Sequence, residues 1–226
     1  MFVIREIFET LQGEGSKAGT PAIFVRFTGC NLWSGNERLR ERGKGECANW
    51  CDTDFFKGQK FSCLRLIEIL ENATKGWKSK TVVFTGGEPT LQLKSSDGEY
   101  LVKVLLQENW NVCIETNGTM SLDDCSALNL IYKAKNGHIT MSPKMLKNSE
   151  SIEHIKLTKG TDLKIITPSN IPINKFVEME FKNFYLQPLD NKDGSIGLSN
   201  LENAIHLCQK YGFKISIQTH KLIGLQ

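Results

Sequence analysis

The 226-residue chain contains 40% hydrophobic and 23% charged residues, a composition typical of a globular protein that buries its own core. Its 28 basic and 25 acidic residues give a net charge of only +3, which does not indicate nucleic-acid binding. No apolar run approaches the ~18 residues of a membrane helix, and the N-terminus lacks the basic start and apolar core of a signal peptide. We therefore expect a cytoplasmic protein with a single domain over residues 1–226, bound neither to membranes nor directly to nucleic acid.

Strand and helix patterns alternate along the chain, which indicates β/α units around a parallel sheet. The N-terminal segment alternates like a strand, and further strands are predicted at residues 22–27, 81–85, 112–116, 139–142, 163–167, 184–187 and 214–218. Helices are predicted near residues 62–76 and 99–108 and after Ser199, where Ser199 and Glu202 can form a capping box. These units are too few for eight β/α repeats, so we predict an α/β fold with an incomplete, open-sided barrel.

The cysteines are an odd-numbered set, which argues against a disulfide framework and for a reducing compartment. Cys30 follows a predicted strand, and Cys47 and Cys51 lie in the long irregular stretch 31–60, whose length is typical of functional loops. Three thiolates leave one ligand position open, since a structural zinc or an iron–sulfur cluster usually takes four ligands. A [4Fe-4S] cluster with one free iron can bind and cleave S-adenosylmethionine (SAM), whereas zinc remains the alternative on the cysteines alone.

A second motif, Thr-Gly-Gly-Glu-Pro at residues 85–89, ends a buried strand. Gly86 and Gly87 have no side chains, so the backbone can approach a ligand closely, and Pro89 cannot continue the strand ladder. Alone, this segment could be an ordinary turn. Because it lies one β/α unit after the cysteine loop, it favours a site for the adenosyl or methionyl part of SAM.

The cysteine loop and the 85–89 motif together resemble the radical SAM superfamily, and other segments narrow the resemblance to the 7-carboxy-7-deazaguanine synthases. These segments occur in order along the whole chain, at residues 11–15, 26, 30–33, 51–55, 85–89, 115–118, 142–144, 187–188 and 218–221. The resemblance implies a lyase that converts 6-carboxy-5,6,7,8-tetrahydropterin to 7-carboxy-7-deazaguanine with loss of ammonia, a step towards queuosine and other deazapurines. It also implies a [4Fe-4S] cluster, SAM and Mg²⁺ as cofactors, and a homodimer that takes electrons from a flavodoxin or ferredoxin.

The resemblance further implies a role for each matching side chain. The cluster ligands are Cys30, Cys47 and Cys51, and the magnesium ligand is Thr53. The substrate-binding residues are Leu11, Gln12, Gly13, Glu14, Arg26, Thr85 and the terminal residue, Gln226, through its carboxylate. The SAM-binding residues are Gly87, Glu88, Glu115, Asn117, Ser142, Pro143, Lys144, Gln187, Pro188, Leu189 and Asp190.

Several of these residue types suit the implied chemistry. Arg26 can hold a carboxylate through two parallel hydrogen bonds, and Gln12 and Glu14 can read the donor and acceptor edge of a pterin. Thr53 offers a hydroxyl oxygen to Mg²⁺, which keeps waters and takes further oxygens from its substrate. The neighbouring Asp52 and Asp54 either assist the metal or cap the turn that follows Cys51.

The cysteine loop has two further features. Sixteen residues separate Cys30 from Cys47 and three separate Cys47 from Cys51, so the loop must take a different route from that of the best-known members. A basic segment between the first two cysteines could dock an acidic electron donor, although such a run is more often a solvated face. It comprises Arg38, Arg40, Arg42 and Lys44.

Two other functions remain open from the sequence. One is a radical SAM activase that abstracts hydrogen from a glycine of a partner protein, although Gln12, Glu14 and Arg26 favour a small carboxylated substrate. The other is a zinc-stabilised binding domain without catalysis, which would contain zinc in place of iron and sulfide.

Overall fold

A nine-stranded sheet is the frame of the protein, whose computed structural model describes residues 1–36, 46–49, 51, 53–191, 195 and 197–225. The strands are β1 (Phe2–Leu11), β2 (Pro21–Phe27), β3 (Gln59–Phe61), β4 (Thr81–Gly86), β5 (Asn111–Thr116), β6 (Gly137–Met141), β7 (Lys159–Thr167), β8 (Glu180–Pro188) and β9 (Lys214–Ile215). The α-helices in these ranges are α1 (Cys63–Ala73), α2 (Thr90–Leu93), α3 (Ser96–Gln107), α4 (Ser126–Lys133), α5 (Leu198–Tyr211) and α6 (Thr219–Leu222). Short 3₁₀-helices occur at Gly15–Lys17 and Ile173–Lys175.

The strand order is β3-β1-β2-β4-β5-β6-β7-β8-β9, and from β2 onward each strand runs parallel to the next. The first strand, β1, is antiparallel to both β2 and β3. Within the described residues β3 and β9 each have a single neighbour, so the sheet stays open. The predicted incomplete, open-sided barrel is therefore confirmed. The sequence pattern does not predict β3, because Gln59–Phe61 contains a single apolar residue.

The two faces of the sheet carry different side chains, because successive residues of a strand point to opposite sides. In β2, Ile23, Val25 and Phe27 are fully buried in the core that the sheet forms with the helices. Phe24 and Arg26 point the other way and line the cavity on the inner face. Burial of the outer face stabilises the fold, and the inner face remains available for polar groups.

The start of α5 differs from the prediction. Gly197 is its N-cap and no side chain caps it, so the predicted capping box of Ser199 and Glu202 is wrong. Ser199 lies inside the first turn instead. The Asn200 amide donates a hydrogen bond of 2.7 Å to the Leu189 carbonyl, which ties this turn to the end of β8 and starts the helix earlier than the sequence pattern indicates.

The helices predicted near residues 62–76 and 99–108 are both present. The Ser62 hydroxyl caps α1 by accepting the Arg65 N–H at 3.2 Å. The other helix, α3, begins earlier than predicted, because the Ser95 hydroxyl accepts the Gly98 N–H at 3.2 Å and caps it there. Among the helices of the described ranges, none combines the length and the apolar character needed to cross a membrane.

Candidate active site

A cavity of about 650 Å³ opens on the inner face of the sheet, at the carboxyl ends of the parallel strands. Ligands of parallel β/α folds bind at this edge, because the loops that follow the strands converge there. Most residues that the resemblance implies line this cavity. They are Leu11, Gln12, Glu14, Arg26, Cys30, Cys47, Cys51, Thr53, Thr85, Gly87, Glu115, Asn117, Ser142, Pro143, Lys144, Gln187, Pro188, Leu189 and Asp190.

Some of the implied residues do not line it. Gly13 packs against His220 of α6, since a Cβ on Gly13 would lie 1.9 Å from the His220 Nδ1. The Gly13 carbonyl also accepts a hydrogen bond of 2.8 Å from the Thr219 hydroxyl, so α6 is fastened to the loop after β1. Glu88 is buried behind the cavity wall. The remaining predicted positions, Asp52, Gln226 and the basic residues Arg38, Arg40, Arg42 and Lys44, lie outside the described residues.

The three cysteines implied for the cluster line one cavity, are half-buried and form no disulfide. Cys30 follows β2, and its sulfur accepts the Leu32 N–H at 3.4 Å. Burial raises the pKa of this thiol. Cys47 forms an isolated β-bridge with Leu146, so the segment after β6 holds the backbone of this cysteine in place.

This set of thiols suits an iron–sulfur cluster better than a single metal ion. Among the described residues, no three His, Cys, Asp or Glu side chains converge as a mononuclear site requires. A [4Fe-4S] cluster binds its cysteines at different corners, so the thiols must face one cavity without meeting at one point. Cys30, Cys47 and Cys51 line one cavity and meet that requirement.

Gly87 holds the backbone of the cysteine loop in addition to lining the cavity. A Cβ on Gly87 would lie 2.0 Å from the Gly29 carbonyl oxygen, and the Glu88 N–H donates to that same oxygen at 2.8 Å. The preceding Gly86 has a φ of +126°, a conformation that favours glycine. These two glycines therefore allow the end of β4 to pack closely against the segment that leads into Cys30.

Glu88 is a fully buried carboxylate that joins two strand ends. It accepts hydrogen bonds from the N–H and hydroxyl of Thr90 at 3.1 and 2.6 Å, from the Thr116 hydroxyl at 2.7 Å and from the Asn117 N–H at 2.7 Å. Burial raises the pKa of Glu88 despite these bonds. The carboxylate ties the start of α2 to the end of β5 and so fixes Asn117 at the cavity wall.

The Asn117 side chain carries this connection to the cysteine loop. Its amide nitrogen donates to the Asn31 carbonyl oxygen at 3.0 Å, and its own carbonyl oxygen accepts the Thr119 N–H and hydroxyl at 3.0 and 2.7 Å. The Asn31 amide donates to the Thr119 hydroxyl at 2.9 Å, which closes a ring of three side chains. The residue next to Cys30 is thereby held against the end of β5.

Glu115 gathers two of the residues implied for the substrate. One carboxylate oxygen accepts the Gln12 amide at 2.9 Å, and the other accepts the Thr85 hydroxyl at 2.8 Å. The Gln12 carbonyl oxygen in turn accepts the Glu14 N–H at 3.1 Å. The resemblance implies a SAM contact for Glu115, but its hydrogen bonds place it in the same polar wall as Gln12 and Thr85.

The Glu14 carboxylate is the centre of a second polar group. It forms an ion pair with Lys164 of β7 and accepts amide N–H groups from Gln187 at 3.2 Å and from Gln218 at 2.7 Å. The side chains of Glu14 and Lys164 are only 11% and 8% exposed. Burial alone would raise the pKa of Glu14, but the Lys164 charge and the hydrogen bonds outweigh it and hold this pKa below the ordinary 4.5.

Arg26 lines the cavity with its side chain anchored at one end. Its Nε donates to Glu6 at 2.6 Å, and the guanidinium lies 5.4 Å from the centre of the Phe8 ring, which stacks on Phe24. Of the described residues, none accepts a hydrogen bond from the two terminal nitrogens. The predicted grip on a carboxylate through two parallel bonds therefore stays a prediction, for which these nitrogens are the donors.

Thr53 and Asp54 both line the cavity, and the hydrogen bonds of Asp54 also give it a structural role. One Asp54 oxygen accepts the Phe56 N–H at 3.0 Å, and the other pairs with Arg5 at 2.6 Å. Asp54 therefore caps the turn after the last cysteine, and its place in the cavity lining leaves the assisting role open as well.

The far wall of the cavity carries the segments implied for SAM. Lys144 donates to the Ser142 hydroxyl at 3.1 Å, and Lys221 of α6 donates to Asp190 at 2.8 Å. Both lysines line the cavity, so this wall offers cations and hydroxyl groups to a ligand that carries an amino acid.

Sequence reasoning misses several lining residues, of which Lys164 is the most informative. It belongs to no motif and lies in a predicted strand whose other residues are mostly apolar. A lysine in a buried strand is itself a signal, because lysines are rarely buried without a partner. Phe8, Phe24 and Glu6 of the β1–β2 hairpin are also missed, since nothing local shows which face of a strand meets a ligand.

The chain is similar in sequence to several 7-carboxy-7-deazaguanine synthases, although no protein-family model matches it. It is 35% identical to the synthase of Caulobacter vibrioides and 34% identical to that of Burkholderia multivorans, each over 99% of this chain and 99% of the relative. Its fold is similar to the crystal structure of QueE from Escherichia coli, with a TM-score of 0.65 and 22% identity over 96% of this chain and 93% of that one. The cavity and these full-length similarities lead to one conclusion: the chain is an enzyme of the 7-carboxy-7-deazaguanine synthase family.

Proposed function

We propose that this chain converts 6-carboxy-5,6,7,8-tetrahydropterin to 7-carboxy-7-deazaguanine with loss of ammonia, at the cavity described above. The main support for the proposal is that one cavity is lined both by residues that can bind the cluster and by residues that can bind the substrate. Cys30, Cys47 and Cys51 face it from one set of loops, and Glu14 and Arg26 face it from the sheet. Radical chemistry on a carboxylated pterin needs both in reach of one bound substrate.

The three cysteines would hold a [4Fe-4S] cluster, and the wall of Ser142, Lys144 and Asp190 would hold SAM. When bound, these cofactors supply the radical that removes a hydrogen atom from the tetrahydropterin. The chain itself provides position and shielding. Gly87 and Glu88 fix the backbone around the cluster loop, through the contacts with Gly29 and with the end of β5.

The substrate would be oriented by charge complementarity. The guanidinium fork of Arg26 would bind its carboxylate, and the stacked rings of Phe8 and Phe24 stabilise that guanidinium from one side. Gln12 and Glu14 would bind the pterin edge, in positions set by Glu115 and by Lys164. Thr53 would contribute a hydroxyl oxygen to a magnesium ion that also takes oxygens from the substrate.

An external protein must deliver the electron that starts each turnover. We propose an acidic flavodoxin or ferredoxin, docked on the basic segment Arg38, Arg40, Arg42 and Lys44. Association between opposite charges is fast at low salt and slows as salt screens them. Reversal of the four charges should slow reduction of the cluster by the protein donor much more than reduction by the small dianion dithionite. Unchanged rates with the protein donor would contradict the docking site.

We further propose a homodimer in the cytoplasm, where a reducing environment keeps the cluster thiols free. None of the seven cysteines forms a disulfide, which agrees with such a compartment. Light scattering on the purified holoenzyme would report the mass of the assembly; a monomer would contradict the dimer.

One experiment tests the reaction itself. Protein purified and reconstituted without oxygen is incubated with 6-carboxytetrahydropterin, SAM, Mg²⁺ and reductant, and the product is identified by mass spectrometry. Iron, sulfide and zinc are measured on the same sample. The expected result is 7-carboxy-7-deazaguanine formed by a protein with iron and sulfide; zinc without iron, or no product from a fully loaded protein, would refute the proposal.

A matched pair of variants tests the ligand assignment. Cys47→Ala should lose iron and product formation, because it removes a thiol that faces the cavity. Cys208→Ala, in a half-buried cysteine that packs on the core from α5, should keep both. Full iron content in the Cys47 variant would show that this cysteine is not a cluster ligand.

A further inference from the structure

Glu14 and Lys164 place an anionic acceptor and a cationic donor side by side on the cavity wall. We propose that this pair selects the substrate by its lactam edge: Glu14 accepts the N3–H of the pterin, and Lys164 donates to the C4 carbonyl oxygen. The inference rests on the proposed function, since it specifies how that substrate is recognised. Lys164 becomes a specificity-determining residue, a role that no motif of the sequence indicates.

The distribution of donors on the Glu14 carboxylate supports this pairing. Gln187 and Gln218 both donate to Oε1, whereas Lys164 contacts Oε2. A carboxylate offers about four acceptor positions, two on each oxygen. Among the described residues, Oε1 is therefore filled, and the acceptor position that remains lies on the oxygen beside the ammonium group. A ligand that bonds there meets an acceptor and a donor next to each other.

The amides that orient Glu14 are themselves held in one orientation. The Gln187 carbonyl oxygen accepts the Ser216 hydroxyl at 3.3 Å, and the Gln218 carbonyl oxygen accepts the Lys221 ammonium at 2.7 Å. Both amide nitrogens must then face Glu14. A carboxyl group surrounded by donors stays ionised, which agrees with the lowered pKa of Glu14. Glu14 therefore acts as an acceptor only, as recognition of an N–H group requires.

A pterin presents the complementary pattern on adjacent atoms. The N3–H is a donor, and the neighbouring C4 carbonyl oxygen is an acceptor. A 4-amino analogue reverses both groups, because its N3 carries no hydrogen and its C4 carries an amino group. Such a ligand would offer Glu14 no N–H and would turn an amino group, itself a donor, towards the Lys164 ammonium. Buried polar sites discriminate strongly against mismatches of this kind.

Equilibrium binding of two probes tests the proposal without turnover. The probes are pterin-6-carboxylate and its 4-amino analogue, and binding to the anaerobic, SAM-loaded holoenzyme is followed by pterin fluorescence. The wild-type protein should bind the 4-oxo probe about 100-fold more tightly or better, because two charge-assisted hydrogen bonds distinguish the probes. Lys164→Met should reduce this preference by about 10-fold or more, and Lys164→Arg should keep it within about threefold.

A lysine outside the cavity provides the control. Lys80→Met removes the cation of the Lys80–Glu71 ion pair, which does not line the cavity, and should leave the preference unchanged. If Lys164→Met weakens the binding of both probes equally, Lys164 serves only the fold and the proposal is overturned. Should that variant fail to fold, Lys164→Gln replaces it, and an unchanged preference in this variant overturns the proposal equally.

Product formation is measured on the same protein, so that a failure of this inference can be distinguished from a failure of the proposed function. Wild-type protein that prefers the 4-oxo probe but makes no 7-carboxy-7-deazaguanine counts against the proposed reaction and supports lactam recognition. Wild-type protein that makes the product, with a preference that Lys164→Met does not change, counts against the role of Lys164 alone.

Discussion

The contact between Gly87 and Gly29 predicts a large effect of a single added methyl group. The Cβ of Gly87→Ala would lie 2.0 Å from the Gly29 carbonyl oxygen, 2.5 Å from its carbonyl carbon and 3.1 Å from the Cys30 nitrogen. Close carbon–oxygen contacts are about 3.3 Å, so the two segments must separate by roughly 1 Å. The obstacle is backbone on both sides, which cannot rotate away as a flexible side chain can.

The cost follows from two terms. Overpacking of a tight contact costs about 1–3 kcal/mol. Separation also removes the 2.8 Å hydrogen bond from the Glu88 N–H to the Gly29 carbonyl, and such a bond contributes about 0.5–1.5 kcal/mol. We expect a loss of about 2–4 kcal/mol, which lowers the melting temperature of a chain of this size by roughly 4–16 °C. Because the displaced segment leads into Cys30, the reconstituted protein should also bind less iron.

Thermal unfolding by circular dichroism and iron and sulfide analysis measure the two effects. Gly197→Ala is the matched control, since its Cβ would first meet the end of the Asn200 side chain at 3.0 Å. A small shift of this side chain and of its hydrogen bond to the Leu189 carbonyl relieves the contact, so a smaller loss of stability and no loss of iron are expected. Gly197 also lies away from the cavity lining. A Gly87→Ala protein that melts within about 2 °C of wild type and retains full iron would refute the reasoning.

Three further perturbations test other parts of the site. Glu88→Gln replaces a carboxylate acceptor surrounded by donors with an amide, so the free energy of unfolding in urea should fall by about 2–4 kcal/mol; an unchanged midpoint would contradict this role. Arg26→Lys removes the planar fork and the bond to Glu6, so steady-state kinetics should show a KM raised about 10–100-fold with a smaller change in kcat. Burial alone would raise the pKa of Asp162. Its hydrogen bonds, of which the one with His138 has the largest effect, outweigh burial and hold this pKa below the ordinary 3.8. A lowered pKa stabilises the folded state above about pH 4 and loses that effect as the pH falls through the folded pKa. Asp162→Asn should therefore lower the free energy of unfolding near pH 7 and flatten its decline in acid; denaturant titrations over that pH range that superimpose on those of wild type would contradict this.

The parallel strands and the gathering of the site at one sheet edge could be predicted from the sequence. Runs of β-branched and aromatic residues indicate strands by local pattern alone, and the order of strands and helices indicates parallel pairing. Cys30 and Gly87 follow such strands, and Ser142 ends one. Because the carboxyl ends of parallel strands lie at one edge, residues distant in sequence could be placed in one site without knowledge of any contact.

The tertiary structure alone decided which side chains of these motifs face the cavity. Glu88 belongs to a motif implied for SAM, yet its carboxylate is buried against Thr116 and Asn117, since a carboxylate removed from water needs several donors. Lys164 belongs to no motif, yet it pairs with Glu14, 150 residues earlier in the chain. Local patterns report the preferences of neighbouring residues. The pairing of buried charges depends on how distant strands pack, and this is why it appears only in the folded chain.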